Sequence, residues 1–232
     1  MKKSLFLKVI RKLKETKDKI LTPVRVKEIN NKDFCIISNN CWGGYVYRYF
    51  GLQYNSPTVG LYFFPEDYLK FIYNLEYYLS IDLEFISIDK SKHSTKLKEQ
   101  KQSNVPIGKL EDIEIIFLHY KSNDEALEKW NKRKARVNLD NIIIKFSEMN
   151  GCTIEHLKVF ENLNGVKKFM YVTKEEYCKE FKSAILYNDL ENGLLLNDTF
   201  YWDKFIDIRK LINEPITQYY NTKKIDALYK EV

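Results

Sequence analysis

Ser38-Asn39-Asn40-Cys41-Trp42-Gly43-Gly44 concentrates side chains that could do chemistry. The stretch follows an apolar run of strand type and opens residues 45–50, which read as a helix. Gly43 and Gly44 would let the backbone approach a ligand closely, and amides at a helix N-terminus attract anions. Ser38, Asn39 and Asn40 add hydrogen-bonding side chains. The pattern is neither G-x-G-x-x-G nor a P-loop, which needs a terminal Gly-Lys-Ser/Thr. Two readings stay open: phosphate or sugar binding, and a tight turn using Asn and Gly for positive φ. Cys41 lies where a helix dipole would acidify a thiol. A thiolate nucleophile would want a histidine base, for which His119 is the candidate. The other reading of Cys41 is a packing residue.

The second stretch is His119-Tyr120-Lys121-Ser122-Asn123-Asp124. His119 closes an apolar run, so it is expected at the carboxyl end of a strand, where a general acid or base could sit. The plainer reading, a histidine hydrogen-bonded at a sheet edge, is the one the residues alone favour. The following helix carries Trp130, Arg133 and Arg136. Trp130 and Arg133 are three residues apart and share a helix face. Arg133 or Arg136 could pair with a phosphate, and Trp42 or Trp130 could stack on a sugar or base. Cations also gather at helix C-termini for electrostatic reasons alone. Ser56-Pro57-Thr58 offers two hydroxyls on a fixed turn, for a ligand or for their own backbone. Glu148 precedes the turn dipeptide Asn150-Gly151.

Elements that position these groups can be read from periodicity. Strands are expected at 33–38, 61–64, 83–88, 113–119, 141–146 and 167–172. Helices are expected at 65–79, from the Ser122–Glu125 capping box to 137, at 153–163, from the Thr173–Glu176 box onward, and at 202–212. Residues 89–105 are charged and poor in apolar side chains, and read as a mobile surface loop. Alternating strands and helices indicate an α/β fold: a three-layer, mostly parallel, Rossmann-like sheet with an N-terminal amphipathic helix. Residues 1–22 form that basic helix, ended by Pro23, and residues 23–232 one α/β domain. In such sheets ligands sit at the carboxyl ends of strands.

Composition narrows the classes. The chain has 232 residues, 44 % hydrophobic and 30 % charged, enough to bury a core. Mean hydropathy is −0.44, and no apolar run approaches the ~18 residues of a membrane span. Cys35, Cys41, Cys152 and Cys178 form no Cys-x-x-Cys pair, which fits free thiols in a reducing cytosol and no metal site. Net charge is +6, yet residues 1–27 alone carry +8. The basic segment could contact an anionic membrane surface or pack its apolar face on the domain. The remainder is slightly acidic, which argues against nucleic acid as a partner.

Taken together, Ile36-Ile37-Ser38-Asn39-Asn40-Cys41-Trp42-Gly43-Gly44, Leu52-x-Tyr54-x-Ser56-Pro57-Thr58-Val59-Gly60-Leu61, Asp67-Tyr68, and His119-Tyr120 with Ala126, Trp130, Arg133 and Arg136 resemble the bacterial domain-of-unknown-function family numbered 1919. The resemblance runs over roughly residues 33–210. It implies a setting in capsule, lipopolysaccharide or exopolysaccharide assembly and implies no reaction. It draws attention to Asn39, Asn40, Cys41, Trp42, Gly43, Ser56, Pro57, His119, Trp130, Arg133 and Arg136.

The expected function is then a cytosolic transferase of surface-polysaccharide biosynthesis that binds a sugar, nucleotide sugar or other phosphate-bearing donor. Asn39, Asn40 and the Gly43-Gly44 amides would hold the ligand, and His119 would serve as acid or base. The alternative is a non-catalytic scaffold of the same machinery, held at the inner face of the membrane by residues 1–22. The residues identify no cofactor.

Overall fold

The computed structural model describes Thr16, residues 20–199 and residues 202–215. The expected amphipathic helix over residues 1–22 lies almost wholly outside them. Residues 20–25 are helical and are numbered α1. Pro23 sits within this turn instead of ending it. A 3-10 turn at Val26–Glu28 follows.

The main sheet is parallel, in the order β1 (Cys35–Ser38), β5 (Ile142–Ser147), β6 (Lys167–Val172) and β7 (Ala184–Leu186). Its register aligns Cys35 with Ile142 and Met170 with Ala184. Both faces are apolar, as a parallel sheet covered by helices requires. Cys35, Ile37, Ile144, Met170 and Val172 point into one core. Phe34, Ile36, Ile143, Phe169 and Tyr171 point into the other. The first core is covered by α3 (Pro65–Tyr73), α4 (Leu75–Ser80), α6 (Asn123–Lys134) and α7 (Ile154–Asn162). The second is covered by α2 (Trp42–Phe50) and α9 (Ile208–Asn213). Helix, sheet and helix make the three layers.

A smaller antiparallel sheet holds β2 (Glu84–Ile86), β3 (Ile107–Leu110) and β4 (Ile113–Ile116). The expected strand at 61–64 is a junction between the two sheets. Tyr62 pairs with Ile116 of β4, and the Phe63 amide donates to the Asn39 carbonyl at the end of β1, 3.0 Å away. The chain therefore leaves β1 toward one side through 61–64 and returns on the other as β5. That makes β1 a switch strand, whose carboxyl end is the place where open α/β sheets bind ligands.

Local chemistry explains most element ends. Gly51 ends α2 with φ 65°, a left-handed cap that favours glycine. Pro65 opens α3, with Glu66 and Asp67 in its first turn. Ser122 Oγ accepts from the Glu125 amide at 3.2 Å and starts α6 as expected. Three expectations need correction. Residues 89–105 do not form an unstructured loop: a 3-10 turn at Ile88–Lys90 and α5 (Ser94–Glu99) fill much of it, anchored by fully buried Leu97. Thr173 does not cap α8 (Glu175–Glu180), because its amide and hydroxyl both bond Glu148 Oε2. The helix expected over 202–212 breaks into a 3-10 turn at Trp202–Lys204 and α9, whose N-cap Asp207 accepts from the Arg209 amide. Among the described residues no helix is long and apolar enough to cross a membrane.

Candidate functional site

Beyond the carboxyl end of β1, Asn40 turns its side chain across to β5. Its Oδ1 accepts from the Lys145 ammonium at 3.1 Å and from the Trp42 amide at 3.1 Å. Its Nδ2 donates to both carboxylate oxygens of Asp198, at 3.1 and 3.0 Å. Lys145 Nζ and Ser147 Oγ also donate to Asp198 Oδ2. Lys145 and Ser147 are fully buried and Asp198 is 1 % exposed. The ammonium lies 5.4 Å from the centre of the Tyr171 ring and 5.7 Å from that of Trp42, close enough for cation–π attraction. Burial pulls the Lys145 ammonium below its ordinary value, and the Asp198 carboxylate opposes that pull.

Such a pair is expensive to build. Two charges leave water, and apolar residues of similar volume would often stabilise the fold as well or better. Here every donor around the carboxylate comes from the carboxyl ends of β1 and β5. The carboxylate itself arrives from the segment after β7.

Around this buried centre the loop at residues 53–61 gathers the other predicted residues. The Cys41 thiol donates to the Leu61 carbonyl at 3.6 Å. The His119 amide donates to the Gly60 carbonyl at 3.0 Å, and the His119 side chain is exposed. Arg133 Nη1 donates to the Val59 carbonyl at 2.9 Å and to the Tyr120 hydroxyl, which itself donates to Val59. The Arg133 guanidinium also lies 5.0 Å from the centre of the Tyr54 ring. Cys41 feels the charges of both Asp198 and Lys145, which ties the turn after β1 to the buried pair.

Several predicted residues have internal work instead. Burial, and next the Asp198 charge, push the Cys41 thiol up to about 12. It is protonated near neutral pH, which is the reverse of an activated nucleophile. His119 stands at the end of the small antiparallel sheet, past β4, and not at a strand of the parallel sheet. Trp42 and Trp130 are fully buried: Trp42 packs edge-on against Phe169 and Trp202, and Trp130 against Phe117. Neither has a free face for a sugar. The Thr58 hydroxyl accepts from the Ser38 amide at 3.1 Å, and the Ser56 hydroxyl accepts from the Thr58 amide at 3.2 Å, so both brace the free edge of β1. Ser38 Oγ donates to the Asn40 carbonyl and accepts from the Gly43 amide. The Gly44 amide goes to the Cys41 carbonyl. The two glycines are there for space: a Cβ on Gly43 would stand 3.1 Å from Ile36 Cγ2, and one on Gly44 2.9 Å from Val59 Cγ1. They let α2 lie close on β1 and do not cradle a ligand with free amides. Arg136 Nε donates to the Lys132 carbonyl of its own helix. Asn39 Nδ2 donates to the Ser147 carbonyl at 3.1 Å, and its buried Oδ1 has no hydrogen-bond partner.

Lys145, Ser147 and Asp198 were not candidates on sequence. Lys145 had a readable signal, a lysine inside the apolar strand Ile142-Ile143-Ile144-Lys145-Phe146. Asp198 had none, because its role depends on where a loop returns. A second buried group lies apart from the predicted residues. Asp67, fully buried on α3, accepts from Lys92 Nζ and bonds His93 Nε2 at 2.6 Å, while the His93 ring stacks on Phe64 at 3.9 Å. Among the described residues no group of three or more His, Cys, Asp or Glu side chains could hold a metal ion.

Residues 11–221 match the family model described as Domain of unknown function (DUF1919). This chain belongs to the DUF1919 family. A DUF1919 chain built this way has a relative in Haemophilus influenzae, an uncharacterized protein 32 % identical over 188 residues. That alignment covers 77 % of this chain and 84 % of the relative. Of the residues that carried the resemblance, Asn39, Asn40 and Cys41 lie at the end of β1, Ser56 along its edge, and His119 and Arg133 on the rim, while Trp130 is buried against Phe117 and Arg136 bonds its own helix.

Proposed function

We propose that this DUF1919 protein is a transferase of cell-surface polysaccharide assembly, taking a sugar or other phosphate-bearing donor at the carboxyl end of β1. One observation carries the reading: a buried Lys145–Asp198 pair, tied to Asn40 and Ser147, stands at the end of the switch strand, where α/β enzymes keep their ligands. The polysaccharide setting comes from the family resemblance. In this reading the exposed His119 imidazole takes the proton of an acceptor hydroxyl as its oxygen attacks the donor carbon. The donor's phosphate leaves with the electrons of the broken bond.

The test is a thermal-shift screen of the full chain against nucleotide sugars, nucleotides, acyl-CoA and sugar phosphates. A ligand at about 100 times its Kd stabilises by about 2.7 kcal/mol. The expected hit is a phosphate-bearing sugar, with the shift reduced in His119→Ala, a variant that leaves the core intact because this side chain is exposed. No shift with any compound refutes the enzyme reading.

A second reading is favoured by the +8 charge confined to residues 1–27: an accessory protein seated on anionic lipid. Co-sedimentation with phosphatidylglycerol vesicles, lost on deleting residues 1–22, supports it; unchanged co-sedimentation refutes it.

A further inference from the structure

Asp198 is held as an anionic ligand would be held. Its carboxylate receives Lys145 Nζ, Ser147 Oγ and, on both oxygens, Asn40 Nδ2. An ammonium, a hydroxyl and an amide converge on one point from two strand ends, and the only anion they meet there among the described residues is this carboxylate. It belongs to a different structural unit from its donors. Residues 188–199 form a strap whose tip is a two-residue hairpin. Glu191 and Leu194 exchange backbone bonds of 3.0 Å, with Asn192 at φ 53° and Gly193 at φ 75° between them. Positive φ at both central residues is the turn whose twist matches that of the two strands it joins.

The strap meets the body of the protein at a few side chains: Leu195 is buried in the second core with Leu190 packed against it, the Asn197 carbonyl accepts from the Tyr187 hydroxyl at 3.2 Å, Thr199 is buried, and Asp198 fills the cup. Leu194 and Leu196 on either side are 61 % and 54 % exposed. A single carboxylate therefore supplies most of the polar attachment of the strap to the sheet.

Asn39 takes no part in the cup. It is 1 % exposed, its Nδ2 bonds the Ser147 carbonyl and its Oδ1 has no partner, but alternation along β1 from Cys35 and Ile37 turns it to the opposite face of the sheet from Asn40.

We infer that the Lys145–Ser147–Asn40 cup is a binding site for the phosphate monoester of a hydroxylated ligand, occupied in this structure by Asp198 as an internal stand-in. The inference rests on the transferase reading and names the part of the donor that enters. The incoming phosphate takes over the three donors, and Asp198 moves out into water with the strap. The ammonium faces an anionic group in both states, and the phosphate carries more charge than the carboxylate it replaces. Phosphate suits the cup better than a carboxylate would, since it brings more acceptor oxygens to the same donors.

The experiment uses the full chain with glucose 1-phosphate and inorganic phosphate as probes, in calorimetric titrations at fixed ionic strength. Glucose 1-phosphate should bind the wild type and bind Asp198→Asn at least about tenfold more tightly, because the competitor has lost its charge and more cups stand open. In the wild type, saturating glucose 1-phosphate should speed cleavage by a glutamate-specific protease after Glu191. Glucose 1-phosphate should exceed inorganic phosphate in affinity; equal affinities overturn the assignment of the ligand as a sugar phosphate. Equal binding to wild type and Asp198→Asn, with cleavage at Glu191 unchanged or slowed, overturns displacement of Asp198 and leaves the transferase reading in place. No binding of either probe to either protein overturns both. Should Asp198→Asn not fold, the wild-type cleavage assay decides alone.

Discussion

Lys145→Met removes one partner of a charge pair that is almost fully out of water. Lys145 is fully buried and Asp198 is 1 % exposed. Methionine keeps the length and the apolar stem, so little cavity forms. The Asp198 carboxylate keeps Ser147 Oγ and Asn40 Nδ2 but loses its counter-charge. Breaking a buried pair from one side costs about 3–5 kcal/mol. For a chain of this size 1 kcal/mol moves Tm by about 2–4 °C, so the expected fall is about 6–20 °C. Against a total stability of about 5–15 kcal/mol this is a large share. Asp198→Asn should cost a comparable amount from the other side. The double variant Lys145→Met/Asp198→Asn should then cost clearly less than the two single losses together, since no bare charge is left inside. Urea unfolding followed by circular dichroism measures all four proteins on one scale. A loss below about 1 kcal/mol for Lys145→Met would mean that water reaches the pair, and the cup would not be the closed site described above. Additive losses would mean that the two charges are not coupled, and the reasoning from burial would fail with them.

Other consequences follow from the same geometry. Alkylation with iodoacetamide at pH 8 should modify exposed Cys178 at least about tenfold faster than Cys41, whose thiol is held up near 12; fastest labelling at Cys41 would restore the nucleophile. The same shift makes Cys41 a source of alkaline sensitivity. Its unfolded thiol loses a proton near 9.0 and the native one near 12, so its contribution is intact below 9.0 and is lost as pH rises toward 12. Cys41→Ala should therefore flatten the decline of urea stability with pH above 9.0, and an unchanged slope would refute the assignment. Gly44→Ala gains about 1 kcal/mol of helix propensity but meets Val59 Cγ1 at 2.9 Å, a contact expected to cost about 1–3 kcal/mol. Paired with Val59→Ala the same change should turn neutral or stabilising in thermal melts. Asp67→Ala leaves His93 Nε2 without its partner and Lys92 Nζ with the Asp112 carbonyl alone, and should cost about 2–3 kcal/mol and raise amide exchange across residues 91–99.

The alternation of helix and strand was legible because each parallel strand is buried on both faces and therefore reads as a short continuous apolar run. Ile142-Ile143-Ile144 and Phe169-Met170-Tyr171-Val172 are such runs. Capping chemistry placed the start of α6 at Ser122 for the same local reason. What escaped was long-range. Residues 89–105 read as loop because their polarity is high. They are ordered because Lys92 and His93 reach a buried Asp67 that lies more than twenty residues earlier in the chain. The division of strands between two sheets depends on Tyr62 meeting Ile116 and Phe63 meeting Asn39, pairings that no local pattern encodes. The candidate site was legible on one side only. Asn39, Asn40 and Cys41 were visible as a polar turn after a strand, whereas Asp198 became a partner only when a distant strap folded back.

The β1 turn then divides into two kinds of residue by what they touch. Trp42, Gly43 and Gly44 bring α2 down onto Ile36 and Val59, and nothing about them requires a ligand. Asn40 is different, since its side chain bonds a charge pair, the Trp42 amide and the Met149 sulfur. A turn built only to join β1 to α2 would need the glycines and a cap for the Trp42 amide, which serine or aspartate supplies as well as asparagine. Aspartate has no hydrogen to give Asp198, and a serine hydroxyl has one, whereas the amide reaches both carboxylate oxygens while its own oxygen accepts from Lys145. The amide at position 40 is the group that makes the end of β1 a receptor for an anion, and the glycines beside it set how close α2 stands to that receptor.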